Sequence, residues 1–386
     1  MKLILLVPSL TRGGSERFIS NLSIALSKEH QVIVAVFENQ VDYPIGGRLV
    51  DFALPPKANR VSRVFNVLRR CMALKKLVRT EKPDVVLSVM KAGNRINTLC
   101  RTKGVLRFLS CRGFADLEAA PRVFLEGAER TDGIIFNSKE CRDFFCKRCG
   151  GPEEKAFYNY NLIDFKRIEQ DRSAPVGEPA LEAFLQTYRC VVCMGRLTEI
   201  KGQRELIKAF ELVSRRIPDC GLILIGGNGD QREFLMNLAE QSSCRERIYF
   251  TGDRENPYNV LAQCWIYALP SKAEGFPNAL VEAMACGLCV VSSDCRTGPG
   301  EILRREPGPH TEETLEIAEY GILTPPLQGR EEVFAQALEL ALTDTALHDK
   351  LSKAAVKRAA AFSPNKALKD FLEIVSGSGI QQNNNN

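Results

Sequence analysis

Leu3-Ile4-Leu5-Leu6-Val7 is followed by Pro8, by Gly13-Gly14-Ser15-Glu16-Arg17, and then by Phe18, Ile19, Leu22 and Leu26 at helical spacing. A short apolar run that passes through a glycine turn into an amphipathic helix is the opening of a parallel α/β unit. The same alternation continues outward. Val32 to Phe37, Val85 to Val89, Val105 to Leu109 and Gly133 to Phe136 read as strands separated mostly by helical stretches, so the first half predicts a doubly wound sheet. Two prolines, a glycine and polar residues interrupt the rhythm from Asp171 onward, which reads as a linker over 171–187. A second series follows, with strands at Cys190 to Met194, Gly221 to Ile225, Ile248 to Phe250, Trp265 to Leu269 and Leu288 to Ser292. Helices at Gln203 to Arg216 and Gln231 to Gln241 lie between them. The domains expected are therefore 1–170 and 188–362, each Rossmann-like, then a helix over 363–377 and a disordered polar tail over 378–386. Two such domains in tandem hold a ligand in the cleft between them, at the carboxyl ends of strands.

The 386 residues are 45% hydrophobic and 26% charged, which excludes disordered and collagenous classes. Residues 1–170 hold 29 basic and 18 acidic side chains and the remainder 23 and 29, so a net charge of +5 conceals a basic half and an acidic half. A basic half suits an anionic partner. Five apolar residues at the amino terminus are too few for a signal peptide, and no run reaches the roughly 20 of a membrane span. The 14 cysteines then read as reduced cytosolic thiols. Cys141, Cys146 and Cys149 approach zinc-ligand spacing without a second ligand pair nearby, so no metal site is expected.

Four glycine-bearing loops fall at predicted strand ends. Gly13-Gly14 with Arg17 opens a helix whose amides favour an anion, although a tight turn accounts for the glycines equally well. In Gly195-Arg196-Leu197-Thr198-Glu199-Ile200-Lys201-Gly202, Arg196 and Lys201 can converge on a diphosphate or can be solvated loop cations. In Ala273-Glu274-Gly275-Phe276-Pro277-Asn278-Ala279-Leu280-Val281-Glu282, Asn278 is expected as the N-cap of a helix over Ala279 to Cys286. Glu274 and Glu282 then face one ligand from loop and helix, and amides near Pro277 to Leu280 offer an anion site; the bland alternative is a loop charge and a solvent-facing helix residue. Asp294 to Leu303 is the fourth loop. Ile225-Gly226-Gly227-Asn228-Gly229 does not match the dinucleotide fingerprint.

In these residues, together with Asn161-Leu162-Ile163-Asp164, the sequence resembles glycosyltransferase family 4, the retaining nucleotide-sugar enzymes of GT-B fold. The resemblance implies two Rossmann-like domains facing a central cleft, with the last helix crossing back to domain one. It implies catalytic roles for Arg196, Lys201 and Glu274, with Arg196 and Lys201 on the donor diphosphate. Glu274 with the backbone of Gly275, Phe276, Pro277 and Asn278 would hold the transferred sugar, Glu282 would bind ribose hydroxyls, Gly14 would approach the donor phosphate, and Gly13 and Leu280 would complete the donor-binding set. The absence of any D-x-D agrees with a metal-independent enzyme needing no cofactor. Many members carry a histidine in domain one, whereas the histidines here are His30, His310 and His348. The matching stretch is Ser88 to Arg95, so Arg17, Asn94, Arg95 and Arg112 become the candidate phosphate or acceptor contacts.

Similarity to bacterial O-antigen, capsule and lipid-linked glycan enzymes implies a UDP-hexose or UDP-N-acetylhexosamine donor, GalNAc or GlcNAc foremost. The implied acceptor is a polyprenyl-diphosphate-linked saccharide. An epimerase or phosphorylase on the same fold, or a non-catalytic sugar-nucleotide-binding partner, is the alternative. Nine Lys or Arg and one acid lie between Lys57 and Lys82, with Val61, Val64, Phe65, Leu68 and Met72 at helical spacing. Such a helix rests on an anionic membrane, giving a cytoplasmic enzyme peripheral on the inner face, or it packs its stripe in the core. Nucleic acid is not expected as a partner, since no RNP, KH or zinc-finger pattern occurs.

Overall fold

The computed structural model describes residues 1–11, 13–306 and 308–377; the tail expected over 378–386 and the side chain of Arg60 lie outside the described residues. The chain divides into two units, Met1–Leu162 with the segment from Pro364 onward, and Ile163–Ser363.

Unit 1 holds β1 (Lys2–Val7), β2 (Gln31–Val36), β3 (Arg48–Asp51), β4 (Val85–Val89), β5 (Leu106–Cys111), β6 (Gly133–Phe136) and β7 (Ala156–Tyr158) in one parallel sheet of order β3-β2-β1-β4-β5-β6-β7. The central strands are continuous apolar runs because a parallel sheet is covered on both faces. Alternation sends Leu3, Leu5 and Val7 to one face and Ile4 and Leu6 to the other. Helix α1 (Gly14–Leu26) covers the first face with Phe18, Ile19 and Leu22, and helix α2 (Arg60–Glu81) covers the second with Leu74 and Val78. The helix Pro364–Val375 adds Ala367, Phe371, Ile374 and Val375 to the α1 face, and its Ala367 carbonyl accepts from Asn159 Nδ2 at 2.8 Å. Burying one such large side chain contributes about 2 kcal/mol.

Unit 2 holds β8 (Arg189–Met194), β9 (Cys220–Ile225), β10 (Ile248–Gly252), β11 (Ile266–Leu269), β12 (Cys289–Ser293), β13 (Glu316–Ala318) and β14 (Gly321–Thr324), in the order β10-β9-β8-β11-β12-β14-β13. All pairings are parallel except β13 with β14. Among the parallel strands of each sheet the order reverses once, between β1 and β4 and between β8 and β11. The carboxyl ends beside such a switch point are where open α/β sheets bind ligands.

The differences from the sequence reading have local causes. Arg48–Asp51 carries only two apolar residues and Ala156–Tyr158 is three long, too short to show a period. The unit division falls after Leu162 rather than at 170. The segment read as linker contains the helix Pro179–Thr187, started by Pro179 and anchored by buried Leu181, Phe184 and Leu185. Asn278 is the first residue of its helix, Asn278–Ala285, and Pro277 takes the N-cap position.

Candidate active site

In unit 2, β8 and β11 deliver two loops to the switch point. The loop after β8 is fixed by Leu197, which is buried and whose amide donates to the Asn228 carbonyl at 2.8 Å, and by Gln203 Nε2 donating to the Arg196 carbonyl at 2.9 Å. It ends at Gly202, whose φ of +69° is left-handed and whose Cβ would stand 2.1 Å from the Pro270 carbonyl oxygen. Glycine therefore lets the two loops lie against each other. Lys272 N–H donates to the Ile200 carbonyl at 2.8 Å across the same seam.

That seam brings Lys201 to Glu274, with Nζ 2.7 Å from Oε1. Ser271 Oγ donates to the same Oε1 at 2.6 Å, and Thr297 Oγ1, from the loop after β12, donates to the Glu274 carbonyl. Thr297 itself sits at φ +62°, an uncommon conformation for a non-glycine residue. The Glu274 side chain is only 8% exposed, so its charge is held by this network rather than by water. Lys201, with three donor hydrogens, spends one on Glu274 and is fixed in position by it. Its charge is offset in part by Glu274, and its two other N–H groups remain free to donate. Arg196 adds a cation that is exposed and has no carboxylate partner among the described residues.

Glu282, one turn into the helix Asn278–Ala285, is 2% exposed, which excludes the solvent-facing reading. It lies near buried Tyr267, whose phenol is raised well above its ordinary value by burial and by the charges of Cys193, Glu274 and Glu282. Gly275 and Pro277 are buried, and Phe276 packs against Phe362 with ring centroids 5.4 Å apart. The expected amide cluster is smaller than the sequence suggests. Pro277 has no N–H, and the Leu280 N–H returns to the Pro277 carbonyl at 3.0 Å, so Leu280 acts as a buried core residue.

Beyond these loops, Asp294 is held by Arg304 (2.6 Å), His310 (3.2 Å) and the Thr311 amide (2.7 Å). Burial raises its pKa, but the hydrogen bonds from His310, Arg304 and Thr311 outweigh that and leave it below the usual aspartate value. Asp294 thus anchors the segment that follows β12.

In unit 1, Gly13 N-caps α1 and Gly14 is its first residue. A Cβ on Gly14 would meet nothing within 4 Å, so packing does not explain the glycine there. Arg17 is half-buried in the first turn. Arg112, directly after β5, is the best-defined cation. Its Nε donates to Ser110 Oγ (2.7 Å), its Nη1 to the Asn159 carbonyl (2.9 Å) and Asn161 Oδ1 (3.2 Å), and its guanidinium carbon lies 3.4 Å from the Phe18 ring centroid. Nη2 is buried and makes no hydrogen bond to the protein. Burial lowers the Arg112 pKa to about 9.

Asn94 and Arg95 do not join it. Asn94 is 1% exposed and spent internally, accepting from Ser88 Oγ (2.9 Å) and donating to the Ser110 carbonyl (2.9 Å). Arg95, one residue on in the helix Met90–Leu99, is exposed and lies close enough to Cys71 of α2 to lower that thiol's pKa, against the larger upward effect of burial. Successive helix residues are about 100° apart, so one faces in and the other out. Met90, which holds φ +62° immediately after β4, carries no signature in the residue pattern. Backbone strain of this kind is tolerated where the surroundings fix it, often beside a functional site. Cys141 is buried in the core of unit 1, with Cys146 and Cys149 packed against it, and among the described residues no three metal-ligating side chains form a group.

α2 excludes one of the two readings of the basic segment, a stripe packed in the core. Val61, Val64, Phe65, Leu68 and Met72 are 54 to 64% exposed, so the stripe is outside and the core uses another face. Arg70 is the exception among the cations. It is buried, donates twice to the Leu54 carbonyl and stacks 4.1 Å from the Phe37 ring centroid, so it belongs to the fold. Among the described residues no helix is long and apolar enough to cross a membrane.

Two Rossmann-like units, with a lysine–carboxylate pair seated at the switch point of the second, are the arrangement of a GT-B protein, and the similarity to known proteins identifies it as a glycosyltransferase. Residues 12–167 match the model of Glycosyltransferase Family 4 and residues 181–358 that of glycosyl transferases group 1, and the chain belongs to this family. It is 25% identical over 97% of its length to the whole N-acetylgalactosamine-N,N'-diacetylbacillosaminyl-diphospho-undecaprenol 4-alpha-N-acetylgalactosaminyltransferase of Campylobacter jejuni. It is also 25% identical, over 81% of its length and 84% of the relative's, to an uncharacterized glycosyltransferase of Methanocaldococcus jannaschii. Among solved structures, Anabaena HepE in complex with UDP superimposes with a TM-score of 0.77 at 19% identity, covering 98% of this chain and all of that one.

Proposed function

We propose that this chain is a retaining, metal-independent glycosyltransferase that moves a hexose or N-acetylhexosamine, GalNAc or GlcNAc foremost, from a UDP-sugar to a polyprenyl-diphosphate-linked saccharide. The observation that carries the reading is the Lys201–Glu274 pair at 2.7 Å, on loops at the carboxyl ends of β8 and β11. Departure of a nucleoside diphosphate develops charge on phosphate oxygens, and cations fixed in advance lower that barrier without reorganising. Arg196 and Lys201 take this role. Glu274, Gly275, Phe276, Pro277 and Asn278 line the transferred sugar, and Glu282 takes the ribose hydroxyls. Gly14, whose missing Cβ no protein contact requires, suits close approach of a phosphate, with Gly13 beside it. Arg112, buried without a carboxylate, suits an anionic group of donor or acceptor. A chain of 25% identity across a whole undecaprenol-diphosphate glycosyltransferase supports the acceptor class.

An acceptor of that kind lies in a membrane. The exposed stripe of α2, flanked by Arg63, Arg69 and Lys76, suits peripheral binding to an anionic inner face, each cation near the surface contributing about 1 kcal/mol. The test is a UDP-sugar panel with and without polyprenyl-diphosphate saccharide. Nucleotide release that requires the acceptor supports transfer. A rearranged donor indicates an epimerase, and phosphate-dependent cleavage a phosphorylase.

A further inference from the structure

The exposed face of α2 changes character along its axis. Val61, Val64, Phe65, Leu68 and Met72 occupy it over the first turns, and at 100° per residue Lys75, Lys76 and Arg79 continue the same face over the last. The cationic end runs into a cavity of about 430 Å³ lined by Lys75, Arg79, Lys82, Arg101 and Lys103, at the end of unit 1 where β4 and β5 begin. None of the five cations pairs with a carboxylate among the described residues, although five like charges around one cavity repel each other.

The carboxylates at hand are otherwise engaged. Glu81 accepts from Lys2 Nζ at 2.8 Å and from Arg48 Nη2 at 2.5 Å. Asp84, the one acid in the cavity wall, accepts the Lys2 backbone N–H at 2.7 Å. The wall also contains the Thr102 hydroxyl, whose oxygen is buried and makes no hydrogen bond to the protein. Cations at the last turn of α2 complement its dipole, but that accounts for Arg79 and the C-cap Lys82 and not for Lys75, a turn earlier, or for Arg101 and Lys103, which come from the turn before β5.

We infer that this cavity is a phosphate-group site, and that its occupant is the phosphate headgroup of an anionic membrane lipid. The apolar stripe on the same helix face argues for the lipid over a soluble phosphate. The inference rests on the membrane reading of α2 and adds to it a defined headgroup pocket that includes Arg101 and Lys103. Several cations converging on one cavity favour a phosphomonoester, with charge near −2, over a phosphodiester with charge −1.

The test is co-sedimentation of the full chain with phosphatidylcholine vesicles containing about a fifth phosphatidic acid or about a fifth phosphatidylglycerol, at roughly 0.15 M salt. Two triple variants of equal net charge are compared: Arg79→Ala, Arg101→Ala, Lys103→Ala in the pocket, and Lys28→Ala, Lys147→Ala, Arg148→Ala elsewhere on unit 1. The expected result is tighter binding to phosphatidic acid than to phosphatidylglycerol. The pocket variant should lose roughly tenfold or more of the phosphatidic acid affinity and the second variant under about threefold. Equal losses in the two variants, or no preference between the lipids, would overturn the pocket while leaving the α2 membrane reading standing. Wild type that binds neither vesicle would overturn both. Inorganic phosphate that binds at micromolar concentration and is lost only in the pocket variant, with vesicle binding unaffected by that variant, would overturn the lipid source.

Discussion

Replacing Lys201 by Met separates what this side chain does for the fold from what it does for the reaction. Its Nζ donates to Glu274 Oε1 at 2.7 Å, with the lysine side chain 25% and the glutamate 8% exposed. A hydrogen bond between charged groups contributes about 1.5–3 kcal/mol net. Partial exposure and the remaining Ser271 donor at 2.6 Å place the loss near the lower end, about 1–2 kcal/mol. For a unit of this size that lowers the thermal midpoint by roughly 2–8 °C, which leaves the protein folded at assay temperature. The kinetic expectation is larger. Removing one preorganised group that stabilises developing oxyanion charge costs about 10²–10³ in kcat. Nucleotide release with donor and acceptor, beside thermal unfolding of the same preparation, reads both quantities. Lys201→Arg, which keeps the charge, should recover part of the turnover. A folded Lys201→Met enzyme with kcat within about threefold of wild type would refute the assignment.

Gly202→Ala adds a Cβ 2.1 Å from the Pro270 carbonyl at φ +69°; about 2–4 kcal/mol of destabilisation is expected in denaturant unfolding, and a change under about 0.5 would show that the loops are not locked together there. Arg112→Met should keep the fold while kcat/KM falls at least about tenfold, with partial rescue by Lys; unchanged kinetics for Met would restrict Arg112 to packing on Phe18. Asp294 has a depressed pKa, so its contribution is complete above the unfolded aspartate value of 3.8 and is lost as pH falls through the lower folded value. Acid unfolding should therefore show wild type losing its stability advantage over Asp294→Asn below about pH 4, whereas a constant gap would contradict the sign. Phe65→Ser with Leu68→Ser should weaken vesicle binding roughly tenfold or more while unfolding is unchanged, since both side chains are already exposed.

The two sheets were legible because their central strands are apolar runs next to glycine turns, and both switch-point loops of unit 2 could be named from Gly202, Glu274 and Glu282. Three things were not legible. The strands β3, β7, β13 and β14, three or four residues long, pair through backbone groups that leave no side-chain period. The roles of Asn94 and Arg95 depend on which way a helix starting at Met90 is rotated, and a left-handed Met90 has no signature in sequence. The orientation of α2 was undecided because an apolar stripe suits a core or a membrane alike. Leu74 and Val78, off that stripe, are the residues that bind α2 to the sheet, and Arg70 is drawn inward by the Leu54 carbonyl and the Phe37 ring.

The measurement that bears most directly on the central assignment is the anomeric configuration of the product formed from a UDP-sugar and a polyprenyl-diphosphate saccharide, with nucleotide release followed in the same reaction. A glycosidic bond of the donor's own configuration, formed with one nucleotide released per sugar and none without acceptor, is the predicted result. Nucleotide release that ignores the acceptor, or an inverted linkage, would contradict it.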